Sequence, residues 1–422
     1  MARYVTHFES AIDGTKYPAD RLQTWHNGRP LWTRYDLDAI RTVVSPQQIS
    51  VRPPTMWRYR ELLPVGDDIF PVSLEEQMTP IVDCPRLGAH LGLRDVLIKD
   101  ESRLPHCSFK ARGLALATTM ARHFGVRRIA MASNGNAGGT MAMYAARAGL
   151  ESVCFIPHGT PMTNVAEASF SGCRLFRANG LIDECGRLIR EGHNRGLWFD
   201  ISTMKEPYRL EGKKTMGLEL AEQLGWSLPD AIIYPTGGGT ALIAMWKAFQ
   251  ELRELGWLVN NRMPRMISVQ SSGCPPLVLA FQKGERFAQR FENASTSASG
   301  LRVPMGIGDF MVLDAIRESN GMVIASDESC LEEWQRKVAN FEGIFICPET
   351  AIGVAALENL VKTGEIKRED KILVFNTAAG QKYMDHINLH IPEVDLNGFD
   401  WDNFEQHFGK TVYKEHLKTE EY

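Results

Sequence analysis

Short apolar strands alternate with helical stretches over most of this chain, and that alternation restricts its fold more than any other feature. The pattern predicts strands over 93–99, 128–132, 152–157, 174–177, 197–202, 231–234, 266–270 and 371–375. Helices are predicted over 109–124, 140–148, 165–172, 181–192, 214–224, 241–255 and 350–360. Strands separated by helices pair in parallel and are covered by helices on both faces. The expected fold class is therefore α/β, with two doubly wound parallel-sheet domains. Ligands bind such sheets outside the carboxyl ends of the strands, so the loops that follow short apolar strands carry the chemistry.

With 422 residues the chain has room for more than one domain and a large core. A composition of 44% hydrophobic and 23% charged residues suits a soluble globular protein. The net charge of -4 argues against a nucleic-acid partner. No apolar run reaches membrane-spanning length, so no membrane partner is expected. The first residues carry no apolar signal core. Eight scattered cysteines without a Cys-x-x-Cys pair read as reduced thiols in the cytoplasm. No His-Glu-x-x-His and no Cys/His cluster is present, so no metal is expected.

Four stretches bear chemistry. Residues 108–113 read Ser-Phe-Lys-Ala-Arg-Gly, with Ser108 as a natural cap and Lys110 in the first turn of a helix. A helix N-terminus favours the neutral amine over the ammonium, and a neutral lysine attacks carbonyls. On its own, Lys110 reads first as a surface lysine on an amphipathic helix. Residues 235–240, Pro-Thr-Gly-Gly-Gly-Thr, join a strand to a helix. The amides of Gly237, Gly238 and Gly239, the helix N-terminus and the Thr240 hydroxyl suit a phosphate. The alternative is a tight turn without a ligand. Ser133, Asn134, Gly135, Asn136 and Ala137 open a second donor-rich loop, suited to a carboxylate or a ring hydroxyl. Thr377, in 376–380 (Asn-Thr-Ala-Ala-Gly), places a hydroxyl after a third strand, where it is able to meet a ring nitrogen. Each of these loops alone also reads as glycine-bearing punctuation.

Taken together, a nucleophilic lysine, a phosphate cradle, a side-chain amide and a hydroxyl match the needs of pyridoxal phosphate. The chain resembles the fold-type II (tryptophan-synthase-like) pyridoxal-phosphate enzymes, and within them the threonine synthases. Ser-Phe-Lys-Ala-Arg-Gly is similar to their Ser-Phe-Lys-x-Arg-Gly, and Ser-Asn-Gly-Asn to their Ser-x-Gly-Asn. Arg-Leu-Glu-Gly-Lys-Lys-Thr at 209–215 resembles a further segment of theirs. The likeness spans residues 75–390. It implies that pyridoxal 5'-phosphate lies in a cleft between the two sheet domains, with Lys110 as its Schiff-base lysine. It further implies that Asn136 meets the ring oxygen, Gly237, Gly238, Gly239 and Thr240 hold the phosphate, and Thr377 faces the pyridine nitrogen. Ser133, Asn134, Gly135 and Ala137 would bind the substrate carboxylate, and Arg209 the substrate's distal group. The implied partner is a small amino acid, and the expected assembly a homodimer.

The implied organisation is an arm at 1–60, a large cofactor domain at 61–102 and 202–395, a small mobile domain at 103–201 and a tail at 396–422. The implied reaction converts O-phosphohomoserine and water to threonine and phosphate. Some residues depart from the pattern. His106-Cys107 replaces the family's Thr-Gly before Ser-Phe-Lys, and His106 reads as a loop histidine or an acid/base. The early segment lacks the cysteines of some relatives' zinc ribbon. Thr203, Met204 and Glu206 stand where the family offers more polar groups, and Gly-Gly-Gly-Thr is closer to serine and threonine dehydratases. Two alternatives therefore stay open: β-elimination or β-replacement on serine, threonine or a β-substituted amino acid, and a silent homologue serving as a binding subunit.

Overall fold

The computed structural model describes residues 4–387, 391 and 393–408. It divides into one unit reaching Asp385 and a second beginning at His386. The first unit is built on a six-stranded sheet in the order Met322–Ser326, Arg265–Ser271, Ala231–Pro235, Lys371–Asn376, Asp95–Asp100, Ile81–Asp83. All pairings are parallel except the last, where Ile81–Asp83 runs antiparallel to Asp95–Asp100. A second, wholly parallel sheet has the order Arg174–Ala178, Glu151–Pro157, Arg128–Ala132, Phe199–Asp200. The parallel α/β expectation holds.

Period-two geometry explains the continuous apolar runs. In Ala231–Pro235, Ala231 and Ile233 enter a core shared with the helix Pro348–Lys362, whereas Ile232 and Tyr234 enter one shared with Thr240–Leu255. Residues expected as an extended arm instead form an antiparallel sheet, Lys16–Tyr17, Val5–Ser10, Leu31–Tyr35. Phe8 and Leu31 anchor it in the core that also holds Leu114 and Ala115. The strand Met322–Ser326 and the helices Asp309–Glu318 and Leu331–Glu342 complete the alternation in a stretch where no element was predicted. In the second unit, Trp401–Phe408 is helical, and the Phe399 and Trp401 rings meet at 4.8 Å. The remainder of the expected tail, 409–422, lies outside the described residues.

The Lys110–His123 helix is anchored by an ion network without solvent exposure. Arg112 Nε donates to Glu101 at 2.7 Å and Nη1 to Glu219 at 2.7 Å, while Lys99 Nζ reaches Glu219 at 2.5 Å. This is the structural reason for the arginine in Ser-Phe-Lys-Ala-Arg-Gly. Removing it leaves buried Glu101 without its ion-pair partner and Glu219 with Lys99 alone, so Arg112→Ala is expected to cost about 3–5 kcal/mol of stability. Urea titration measures this, and a loss below about 1 kcal/mol would mean that water replaces the guanidinium.

Candidate active site

The approach to Lys110 is a tight turn in which His106 and Cys107 have left-handed φ values of 63° and 51°. Ser108 does not cap the helix. It is extended and bridges to Ala378, which keeps it outside the first turn, and Phe109 takes the cap position without a side-chain bond. The Phe109 N–H donates to the Thr377 carbonyl at 3.1 Å. These two backbone contacts hold the start of the helix against the carboxyl end of Lys371–Asn376. Burial pushes the Lys110 amine down to about 8, with Glu349 opposing and Arg209 adding to the shift. The direction agrees with the helix-terminus argument, but burial is the larger cause.

A cavity of about 350 Å³ opens at the carboxyl ends of strands from both sheets, where Ala132, Pro235 and Thr377 line it. Lys110, Ser133, Asn134, Gly135, Asn136, Ala137, Gly237, Gly238, Gly239, Thr240 and Thr377 all border this space. Ser133 organises its loop: its hydroxyl donates to the Gly135 carbonyl at 2.9 Å and accepts from the Gly138 N–H at 2.9 Å. Asn136 opens the helix Asn136–Ala148, four residues earlier than predicted, because the Asn-Ala-Gly-Gly run is helical rather than a turn. Its Nδ2 donates to Tyr383 at 3.0 Å, and its buried Oδ1 has no partner among the described residues. The Thr377 hydroxyl lies 3.4 Å from the Cys347 sulfur. Burial pushes the Cys347 thiol up to about 12, so the group beside the Thr377 hydroxyl is a neutral thiol.

The three contiguous glycines have three different reasons. A Cβ on Gly237 would lie 2.2 Å from the Gly300 carbonyl oxygen. Gly239 has φ +73°, and its Cβ would meet Val312 at 2.1 Å. Gly238 has neither constraint: a Cβ there would find only a Thr203 methyl at 3.7 Å and would project into open space. A side chain is missing where packing permits one, at the N-terminus of the helix Thr240–Leu255, and this is the cradle that a phosphate needs. The residues therefore fit the cofactor.

Arg209 stands apart. It lies in the first turn of the helix Tyr208–Gln223, ahead of the predicted start at 214, because Glu206 accepts from the Tyr208 and Arg209 amides at 2.7 and 3.0 Å and starts the helix early. Its Nη1 donates to the Ile201 carbonyl at 2.9 Å, while Nε and Nη2 are buried without partners among the described residues. It does not border the cavity. Lys213, one turn further on, does. Helical spacing within Arg-Leu-Glu-Gly-Lys places Lys213 on the face of Arg209, a signal that sequence reading missed. Glu349 and Tyr383 also border the cavity and were missed. Glu349 looks unremarkable in sequence because acidic residues are common in a first helical turn. His106 is not in the cavity wall; it meets Glu167 at 2.8 Å and Lys382 at 3.0 Å, and is a packed histidine.

Comparison with known proteins bears on the family and the fold. The family described as pyridoxal-phosphate dependent enzyme matches residues 72–378. Threonine synthase of Methanocaldococcus jannaschii is 33% identical over 371 residues, covering 87% of this chain and 91% of that protein. In fold, the chain is similar to maize serine racemase, with a TM-score of 0.63, 19% identity and coverage of 78% of this chain and 92% of that one. It is likewise similar to the processed form of threonine deaminase isoform 2 from Solanum lycopersicum, with a TM-score of 0.61, 21% identity and coverage of 72% and 79%. The chain belongs to the family of pyridoxal-phosphate dependent enzymes. Its fold is that of fold type II, its cofactor is pyridoxal 5'-phosphate, and it is a lyase of the threonine-synthase-like group. No helix among the described residues is long and apolar enough to cross a membrane.

Proposed function

We propose that this enzyme eliminates phosphate from O-phosphohomoserine and adds water to give threonine. The observation that carries this reading is a pair of basic side chains on one helix face: Arg209, with two buried nitrogens unpartnered among the described residues, and Lys213 in the cavity wall. A distal anion on the substrate would answer both. Lys110 would hold the cofactor and, once released, move protons among the substrate carbons. The bound cofactor supplies an electron sink for negative charge on the substrate's α-carbon. The loop Ser133 to Ala137 would orient the substrate carboxylate, Gly238 and Thr240 would hold the cofactor phosphate, and the Thr377 hydroxyl would receive the ring nitrogen without protonating it. Closure of 103–201, which contains the second sheet, would exclude water until it is needed. The free cysteines, mostly buried, support a reducing compartment, and a homodimer remains the proposed assembly.

A second reading, deamination of serine or threonine, is favoured by Met204, which turns an apolar side chain to the cavity where a phosphate site would want polarity. Arg209→Ala separates the two. It should lower kcat/KM for O-phosphohomoserine by about 2–5 kcal/mol and leave serine and threonine nearly unaffected, with cofactor absorbance unchanged. Wild type that ignores O-phosphohomoserine but releases 2-oxo acid from serine or threonine would establish the second reading. Equal losses for all substrates would make Arg209 structural.

A further inference from the structure

Among the described residues, Lys213 is the one buried lysine at the cavity without a counter-charge. It is 2% exposed and borders the cavity. Its stem crosses the Lys110 helix at Gly113, where a Cβ would lie 3.2 Å from its Cε and 2.8 Å from the Arg209 carbonyl oxygen. The last glycine of Ser-Phe-Lys-Ala-Arg-Gly is therefore the groove through which this lysine reaches the site. Its Nζ lies 5.1 Å from the centre of the Phe109 ring, the ring that also carries Lys110 Nζ at 3.8 Å. No hydrogen bond or ion pair holds Lys213 Nζ among the described residues. Other lysines buried as deeply are paired: Lys99 and Lys214 meet carboxylates at 2.5 and 2.8 Å. A buried amine beside other cations is costly unless an anion arrives.

We infer that Lys213 is the residue that contacts an anionic group on the substrate directly, a phosphate or carboxylate, with Arg209 standing behind it. Arg209 is outside the cavity wall and already spends one donor on Ile201, whereas Lys213 faces the space. Burial, Arg209 and Lys110 push the Lys213 amine well below its ordinary range, and a bound anion would oppose that shift. The inference rests on the cavity being the amino-acid site and on the proposed distal anion.

The test uses the holoenzyme and two probes that cannot lose a leaving group: 2-amino-5-phosphonopentanoate, and norvaline, which has the same chain length without the phosphonate. Affinity is read from calorimetry and from the change in cofactor absorbance. Lys213→Met is expected to weaken the phosphonate by about ten- to a hundredfold and norvaline by less than about twofold, with cofactor content unchanged. Lys213→Arg should restore part of the loss. Should the Met variant fold poorly, Lys213→Gln carries the same expectation, checked by melting temperature. Undiminished phosphonate binding, or equal loss of both probes, overturns the role of Lys213 alone. Loss of cofactor with retained phosphonate selectivity overturns it too, since the lysine would then serve the cofactor's own phosphate. Wild type that binds the phosphonate no better than norvaline overturns both this inference and the proposed reaction.

Discussion

Lys110→Ala is expected to lose the covalently held cofactor and to reduce turnover by more than about a thousandfold. Borohydride reduction of the wild-type holoenzyme should fix the cofactor to the peptide that contains Lys110. The competitor worth watching is Lys213, a second amine bordering the same cavity. Label on Lys213, or on the buried Lys99, would sink the assignment. A pH series adds an independent check. The Lys110 amine is depressed to about 8, so in cofactor-free protein it is mostly ammonium below that pH and mostly nucleophilic amine above it. Its reaction with an amine-directed reagent should therefore rise through pH 8 rather than through the ordinary lysine range near 10.4. A midpoint in the ordinary range would mean that water reaches the amine freely.

Gly238→Asp is expected to weaken pyridoxal phosphate by on the order of a thousandfold, because a carboxylate would face a dianion in a poorly solvated cradle. The fold should survive, since the new Cβ meets only Thr203 at 3.7 Å. Gly237→Ala is the contrasting control. Its Cβ would collide with the Gly300 carbonyl at 2.2 Å, so that variant should lose thermal stability as well as cofactor. Equilibrium dialysis and a melting curve on both variants separate the two effects. Unchanged cofactor affinity in Gly238→Asp would reduce the loop to a turn.

The parts of this site that are legible in the sequence are those where local chemistry and local structure coincide. Gly-Gly-Gly-Thr follows an apolar strand and opens a strong helix, so both its place and its suitability for an anion are written within a few residues. Strand Arg128–Ala132 was legible to the residue because the two glycine-rich or charged flanks end its apolar run. Less was legible where tertiary packing decides. Ser108 has a capping side chain, but pairing with Ala378, far along the chain, overrides that local preference. The helix Tyr208–Gln223 begins before its predicted start because a buried glutamate caps it from outside the apolar pattern. The N-terminal sheet escaped notice because strands of two to six residues between loop formers show too little alternation to register. Lys213 and Glu349 became visible as site residues only once two distant segments were folded around one space.

The order of strands has a consequence for when this protein becomes an enzyme. Lys371–Asn376 is the last strand among the described residues, yet it lies in the interior of the six-stranded sheet, between Ala231–Pro235 and Asp95–Asp100. Until it is made, the strand leading to Lys110 and the strand leading to the glycine cradle have no common neighbour. The backbone bond that seats the start of the lysine helix, from Phe109 to Thr377, is likewise unavailable. Such distant pairing folds slowly and leaves apolar strand edges waiting during synthesis. A ribosome-bound chain can thus carry every residue proposed to hold the cofactor phosphate before the sheet that positions them is complete. The proposed cofactor site is therefore complete only once a strand from near the end of the chain lies between two strands synthesised long before it.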